Sequence, residues 1–291
     1  MILSEAEREE LEKTARLVRY LILRTVQHSG AGHIGGPLSA TELLVALFFK
    51  ILRIDPQRPD WPERDRFILS KGHAAVGLYA VMALRGYFPV EELRTFDKGG
   101  SRLQGHPDMT RLPGLDMSSG SLGQGLSPGV GYALGARLLG KGFHTWVLLG
   151  DGELQEGMVW EAVHTARRYR LGNLTAIVDY NGLQQYGWRG ADRGDRADPW
   201  RGFSLAQIFQ SFGWRVIEID GHDFKAILGA AAVARQNAGG EQPTAILAWT
   251  KKGKGLSFTE GRHAWHSKVP SEEDVRRAME ELALAPEEVP L

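Results

Sequence analysis

The chain has 291 residues, 43% of them hydrophobic and 24% charged, with 35 basic and 35 acidic side chains. That composition can bury a sizeable core, and a formal net charge of zero argues against a nucleic-acid or anionic-membrane surface as the main partner. The lack of cysteine excludes disulfides, thiolate metal sites and a cysteine nucleophile together, and an acidic start (Glu5, Glu7, Glu9, Glu10) with no apolar run of membrane-spanning length makes the cytoplasm the expected location.

Ser4 followed three residues later by Glu7 reads as a capping box, and Leu11, Ala15, Val18, Ile22 and Val26 recur at helical spacing, which predicts a first helix running to His28. It should end in a glycine-rich stretch, Gly30-Ala31-Gly32-His33-Ile34-Gly35-Gly36-Pro37, expected to be non-helical and to carry His33 on a flexible backbone. An apolar helix over 39–52 and a proline-rich surface loop over 55–63 follow. Residues 66–70 are strand-like and stop at Lys71-Gly72-His73, before a helix over 74–85. A short helix over 91–96 and a long loop over 99–115, which carries Gln104-Gly105-His106-Pro107, lead to Ser118-Ser119-Gly120-Ser121-Leu122-Gly123-Gln124-Gly125. That turn lacks the preceding strand a dinucleotide fingerprint requires. It opens a helix over 126–139 in which Gly129, Gly131, Ala133, Gly135 and Ala136 suggest close packing on another element.

At the centre of the chain the strand 146–149 runs into Gly150-Asp151-Gly152-Glu153. A helix over 155–170 follows, and then a strand over 174–178 that ends at Asp179-Tyr180-Asn181-Gly182-Leu183. The glycines allow a sharp turn and close approach to a ligand, and in open α/β sheets ligands bind at the carboxyl ends of strands. A βαβ crossover would bring Asp151 and Asn181, thirty positions apart, to one point. One carboxylate and one amide oxygen make a hard-oxygen pair suited to Mg²⁺ or Ca²⁺, with diphosphate oxygens, a backbone carbonyl and water completing about six ligands. Residues 184–201 read as a charged, irregular surface segment near the site entrance. Helices over 205–212, 224–236 and 271–284 and strands over 214–219 and 244–249 complete the chain, with Ser271 and Asp274 forming a second capping box. The run Lys251-Lys252-Gly253-Lys254-Gly255 is no P-loop and reads as a loop that is solvated or near an anionic small molecule. The order of elements predicts one α/β domain over 1–291, a mainly parallel sheet with helices on both faces.

Gly-Asp-Gly followed thirty residues later by Asn resembles the thiamine-diphosphate motif. The fuller wording, with Ser70-Lys71-Gly72-His73, Leu103-Gln104-Gly105-His106-Pro107-Asp108, Ser119-Gly120-Ser121-Leu122-Gly123-Gln124-Gly125 and Gly221-His222-Asp223, resembles the N-terminal, diphosphate-side subunit of a split transketolase over about residues 28–271. The resemblance implies a metal ion, Mg²⁺ with Ca²⁺ or Mn²⁺ as alternatives, on Asp151, Asn181 and the carbonyl of Leu183. It places the diphosphate of thiamine diphosphate against Gly152, with His73 and His266 donating to its oxygens, and Gly120, Ser121 and Leu122 against the rest of the cofactor. His33, His106 and His266 would line the donor-sugar pocket as catalytic histidines, and Glu156 and Glu161 would be buried acids linking paired active sites by proton exchange. His222 reads as a structural turn residue.

The same resemblance implies a separate C-terminal partner subunit that carries the aminopyrimidine-side domain and its activating glutamate, in an α2β2 assembly. Together the two would transfer a two-carbon ketol unit from a ketose phosphate to an aldose phosphate. Two departures from the family wording, Ile34 for proline and Ser267 for glycine, together with the unusual Tyr186-Gly187-Trp188, bear on the substrate more than on the cofactor, and those at Ile34 and Tyr186 favour an alternative: another two-component thiamine-diphosphate enzyme, acting on a modified sugar or forming an acyloin. Losing the proline is expected to free the His33 loop. A degenerate cofactor-binding scaffold is the non-enzymatic alternative, and the retained Asp151, Asn181 and histidines weigh against it.

Overall fold

Five strands, β1 (Arg66–Leu69), β2 (Thr145–Gly150), β3 (Leu174–Tyr180), β4 (Arg215–Asp220) and β5 (Thr244–Trp249), form a parallel sheet in the order β1-β2-β3-β5-β4. They are seen in a computed structural model that describes residues 3–185, 200 and 202–291. Every residue of β2 and β3 is buried, as near-continuous apolar strands must be when both faces are covered. Their side chains alternate between two cores. Trp146, Leu148 and Ile177 face a layer with α1 (Glu5–Ser29), α3 (Thr41–Ala46), α4 (Ala75–Arg85), α8 (Phe224–Gln236) and α9 (Glu272–Glu281). Val147, Leu149, Ala176 and Val178 face α5 (Leu126–Leu138), α6 (Gly157–Arg168) and α7 (Leu205–Ser211). Helices on both faces of a parallel sheet are the arrangement the element order predicts.

The crossovers from β1 to β2 to β3 step one way across the sheet, and β5 inserts between β3 and β4. Gly150 pairs with Asp179 and Tyr180 with Trp249. That register brings the turns after β2, β3 and β5 level at one edge. Both capping boxes form, Ser4 with Glu7 and Ser271 with Asp274. Among the described residues, no helix is long and apolar enough to cross a membrane.

The sequence and structure part in three places. The stretch expected to be loop through Pro37 turns helical at Gly35, as α2 (Gly35–Ser39), and the helix expected over 39–52 is broken at Ala40 and widens into a π-helix over Leu47–Ile51. Pro37 is tolerated because it sits in the first turn, where its missing N–H has no partner to lose. Gly35 packs tightly: a Cβ there would lie 3.1 Å from the Lys252 stem and 3.2 Å from the Trp265 carbonyl oxygen, so a larger residue would have to displace one of them by a few tenths of an ångström. α6 begins later than expected, after a 3₁₀ turn at Glu153–Gln155, so no α-helix starts at Gly152. In α5, Gly129, Ala133 and Ala136 do pack inward, and a Cβ at Gly129 would come within 2.6 Å of Val147. Gly131 and Gly135 face open space instead. The alternating small residues fall on both sides of the helix, and only the stripe spaced by four and three meets the sheet.

Candidate active site

A cavity of about 380 Å³ opens at the carboxyl ends of β1, β2, β3 and β5. Asp151 and Asn181, predicted to meet, both line it. Each is aimed by its own turn. The Asp151 carboxylate accepts from the Gly152 amide (2.9 Å) and the Gly182 amide (2.6 Å). Asn181 accepts through Oδ1 from the Leu183 amide (3.1 Å) and donates through Nδ2 to Ser39 Oγ (3.3 Å). Leu183, Gly152, Gly120 and Leu122 complete this part of the lining, while Ser121 is exposed and stands off it.

Four histidines from four separate segments converge on the same cavity. The His33 ring lies 5.5 Å from His73, 5.9 Å from His106 and 5.1 Å from His266, and His73 lies 5.2 Å from His266. Burial is the main cause holding three of them uncharged: His33 lies below its ordinary value, His73 well below, and His266 falls to about 3. Nearby lysines add to this, Lys71 for His73 and Lys252 for His33 and His266. At neutral pH these rings are hydrogen-bonding imidazoles. His222 stands apart, with Nδ1 2.9 Å from a Glu42 oxygen and Nε2 accepting from the Lys251 amide, which is the structural role predicted for it.

Two opposite charges in the cavity form no ion pair among the described residues, although Lys71 acts on Asp151, and Asp151 and Asp179 act on Lys252, from further off. Asp151 is bonded only to backbone amides, and burial, then the charge of Asp179, pushes its carboxyl up to about 7. Lys252, 3% exposed, donates only to neutral acceptors: Leu183 O (3.3 Å), Gln184 O (2.7 Å) and His266 Nδ1 (3.0 Å). Burial, then the charge of Lys71, brings its ammonium down to about 8. The neighbouring Lys71 is different, because it is paired with the buried Asp179, which also accepts from Ser39 and Thr250. The described residues offer no cluster of three His, Cys, Asp or Glu side chains for a metal. A cation here would rest on one carboxylate, one amide oxygen, one carbonyl and the oxygens of its own anionic ligand. That donor set suits a hard divalent ion carried by a phosphate.

Two sequence expectations need correction. Glu156 and Glu161, expected to be buried, are exposed in this chain, Glu156 at the N-cap of α6 on the cavity rim and Glu161 one turn further on. The His33 loop is not freed by the loss of proline. Ile34 is fully buried and its amide, which a proline could not supply, donates to the carbonyl of His266 (3.1 Å). Ile34→Pro is therefore expected to loosen the His266 turn and cost about 1–2 kcal/mol for the orphaned carbonyl, read as a lower unfolding midpoint. Ser267 has φ −141°, outside the positive-φ region that favours glycine, so glycine is not required there. Tyr186, Gly187 and Trp188 lie outside the described residues.

Sequence reasoning missed Lys252, leaving it in a basic run of unresolved orientation. The signal was the glycine after it. Gly253 has φ +74° and a Cβ would lie 2.3 Å from the Thr259 carbonyl oxygen, so a tight turn there sends Lys252 inward, whereas Lys251 stays exposed beside Glu260.

A parallel α/β sheet with a polar cavity at the carboxyl ends of its strands has the form of a ligand-binding domain, and comparisons with known proteins give its family. A family model described as "Transketolase, thiamine diphosphate binding domain" matches residues 11–290, and the chain belongs to that family. It is 42% identical over 273 residues to the 6-deoxy-6-sulfo-D-fructose transketolase subunit SqwG of Clostridium sp. (strain MSTE9), covering 94% of this chain and 96% of that one. It is 40% identical over 275 residues to one of the apulose-4-phosphate transketolase subunits, from Actinobacillus succinogenes, again covering 94% and 96%. Transketolase from Leishmania mexicana superposes with a TM-score of 0.86 at 29% identity, covering 96% of this chain but 42% of the other. The chain thus has the span of the separate subunits, which is about two fifths that of single-chain transketolases.

Proposed function

We propose that the chain is the N-terminal subunit of a two-component transketolase, dependent on thiamine diphosphate and Mg²⁺, and acting in the cytoplasm on sugar phosphates. The observation that carries this is the pair of unmatched charges in one cavity. Among the described residues neither Asp151 nor Lys252 stands in an ion pair, and a divalent metal bound to a diphosphate would give each an opposite charge at close range. Asp151, Asn181 and the Leu183 carbonyl would hold the metal, with Ca²⁺ or Mn²⁺ able to replace Mg²⁺. His73 and His266 would hold the diphosphate beside Gly152, with the Lys252 ammonium, its three N–H groups already engaged, facing it as a charge. Gly120 and Leu122 would meet the organic part, and Ser121, which stands off the cavity, would reach it only at the rim. When bound, thiamine diphosphate supplies the electron sink for breaking and reforming a carbon–carbon bond beside a carbonyl.

The chain's residues do the rest. His33, His106 and His266 would orient the donor sugar through hydrogen bonds. With its proton affinity so depressed, His266 is too weak a base to store a proton at pH 7. Glu156 and Glu161 could couple paired sites only once an α2β2 assembly covers them, since both are exposed here.

A C-terminal subunit bearing the aminopyrimidine-side domain is the proposed partner. Support comes from the two-fifths span relative to whole transketolases and from relatives that are themselves called subunits. The names of those relatives also favour a second possibility, a donor that is a modified sugar. Ketol transfer from xylulose 5-phosphate to ribose 5-phosphate, measured with Mg²⁺ and thiamine diphosphate, separates the cases. Turnover is expected with the candidate C-terminal chain added and none without it. Substantial turnover by the purified single chain defeats the two-component reading, and an inactive but cofactor-loaded complex shifts the donor to a modified sugar.

A further inference from the structure

Lys252 and His266 are joined by a contact whose chemistry allows one arrangement of protons. An ammonium has three N–H donors and no acceptor. The three atoms around Lys252 Nζ are two backbone carbonyl oxygens and His266 Nδ1, so the ring nitrogen must accept. A neutral imidazole that accepts at Nδ1 carries its proton on Nε2. We infer that Lys252 is a positioning residue that fixes His266 as its Nε2–H tautomer, so that the ring enters the cavity as a hydrogen-bond donor to an oxygen and not as a proton acceptor.

The contact is held from both sides. The Lys252 carbonyl accepts from the Gly261 amide (2.8 Å), and the adjacent Gly253 amide donates to Gly35 O (3.0 Å). On the other side the His266 carbonyl accepts from the Ile34 amide (3.1 Å), and the ring sits edge-on to His33 at an interplanar angle of 87°. The Lys252 stem is also packed, its carbons lying where a Cβ on Gly35 would come within 3.1 Å. The lock therefore exists before any ligand arrives. Its product is a cavity wall that presents N–H toward acceptors such as a sugar hydroxyl, a carbonyl oxygen or a phosphate oxygen. The tautomer follows from geometry alone, and only its kinetic consequence rests on the transketolase reading.

Long-range ¹H–¹⁵N spectra of the full chain labelled with [¹⁵N]histidine, with the His266 ring assigned by its loss in His266→Asn, test the tautomer directly. The expected result is an unprotonated Nδ1 and a protonated Nε2 in the wild type, and a mixture of both tautomers in Lys252→Met, with Lys252→Arg, which keeps a donor, moving back toward the single form. A wild-type ring protonated at Nδ1, or one whose tautomer does not change in a folded Lys252→Met, overturns the inference. In the assembled enzyme at saturating cofactor, Lys252→Met should raise KM for the donor about tenfold while kcat falls less. If KM is unchanged while the spectra behave as expected, the lock stands and the assignment of the cavity to a donor sugar fails.

Discussion

Asp151→Asn is expected to weaken metal-dependent binding of thiamine diphosphate by at least about a hundredfold, and to abolish ketol transfer in the presence of the partner. Losing a group that only orients a metal ligand costs about 10–100-fold, and Asp151 is the one carboxylate in the proposed ligand set, so its loss should exceed that range. The same residue predicts a pH dependence. A carboxyl titrating at about 7 when folded, against an ordinary 3.8, takes up a proton on folding across that window. The unloaded chain should therefore lose stability on this group's account as pH rises from about 4 to 7, by on the order of a few kcal/mol, and be unaffected by it above that range. A bound divalent cation favours the charged form and removes the penalty. The gap in unfolding midpoint between loaded and unloaded protein should thus widen from about pH 5 to 7. Asp151→Asn should show no such widening, and a gap that stays constant in the wild type contradicts the assignment.

Lys71→Met is expected to have the largest effect on folding. It removes the cation from Asp179, which is fully buried and would keep only the hydroxyls of Ser39 and Thr250. Breaking one side of a buried pair costs about 3–5 kcal/mol because a charge is left uncompensated. For a chain of this size that lowers the midpoint by roughly 6–20 °C. Adding Asp179→Asn should restore part of the loss, as removing both charges is far less costly than stranding one. Equal midpoints for wild type and Lys71→Met would show that the pair holds nothing in place. Lys71 also acts on the charges of the site, favouring the ionised form of Asp151 and disfavouring that of Lys252.

Features encoded within a few residues of one another were legible in the sequence. The capping boxes of α1 and α9, the strand endings at Asp151 and Asn181, and the thirty-residue spacing that unites them all depend on local pattern and one βαβ crossover. Features set by contacts between distant segments were not. The burial of Lys252 depends on a Gly253 turn packed against Thr259, and the Ile34 amide finds its acceptor at His266, far along the chain. The close packing of Gly35 against the Lys252 stem is of the same kind, since the two are far apart in the chain. Glu156 and Glu161 illustrate a different limit. Their expected burial came by resemblance to an assembled enzyme, and one chain by itself leaves them in solvent.

The most direct measurement is calorimetric titration of thiamine diphosphate into this chain together with its C-terminal partner, with and without Mg²⁺, against thiamine monophosphate as the control. Saturable binding that requires both the metal and the second phosphate is the predicted result if Asp151 holds the metal and His73 and His266 face the diphosphate as proposed. Binding that is indifferent to Mg²⁺, or equal for the mono- and diphosphate, would contradict the assignment of this cavity to a metal-bound diphosphate.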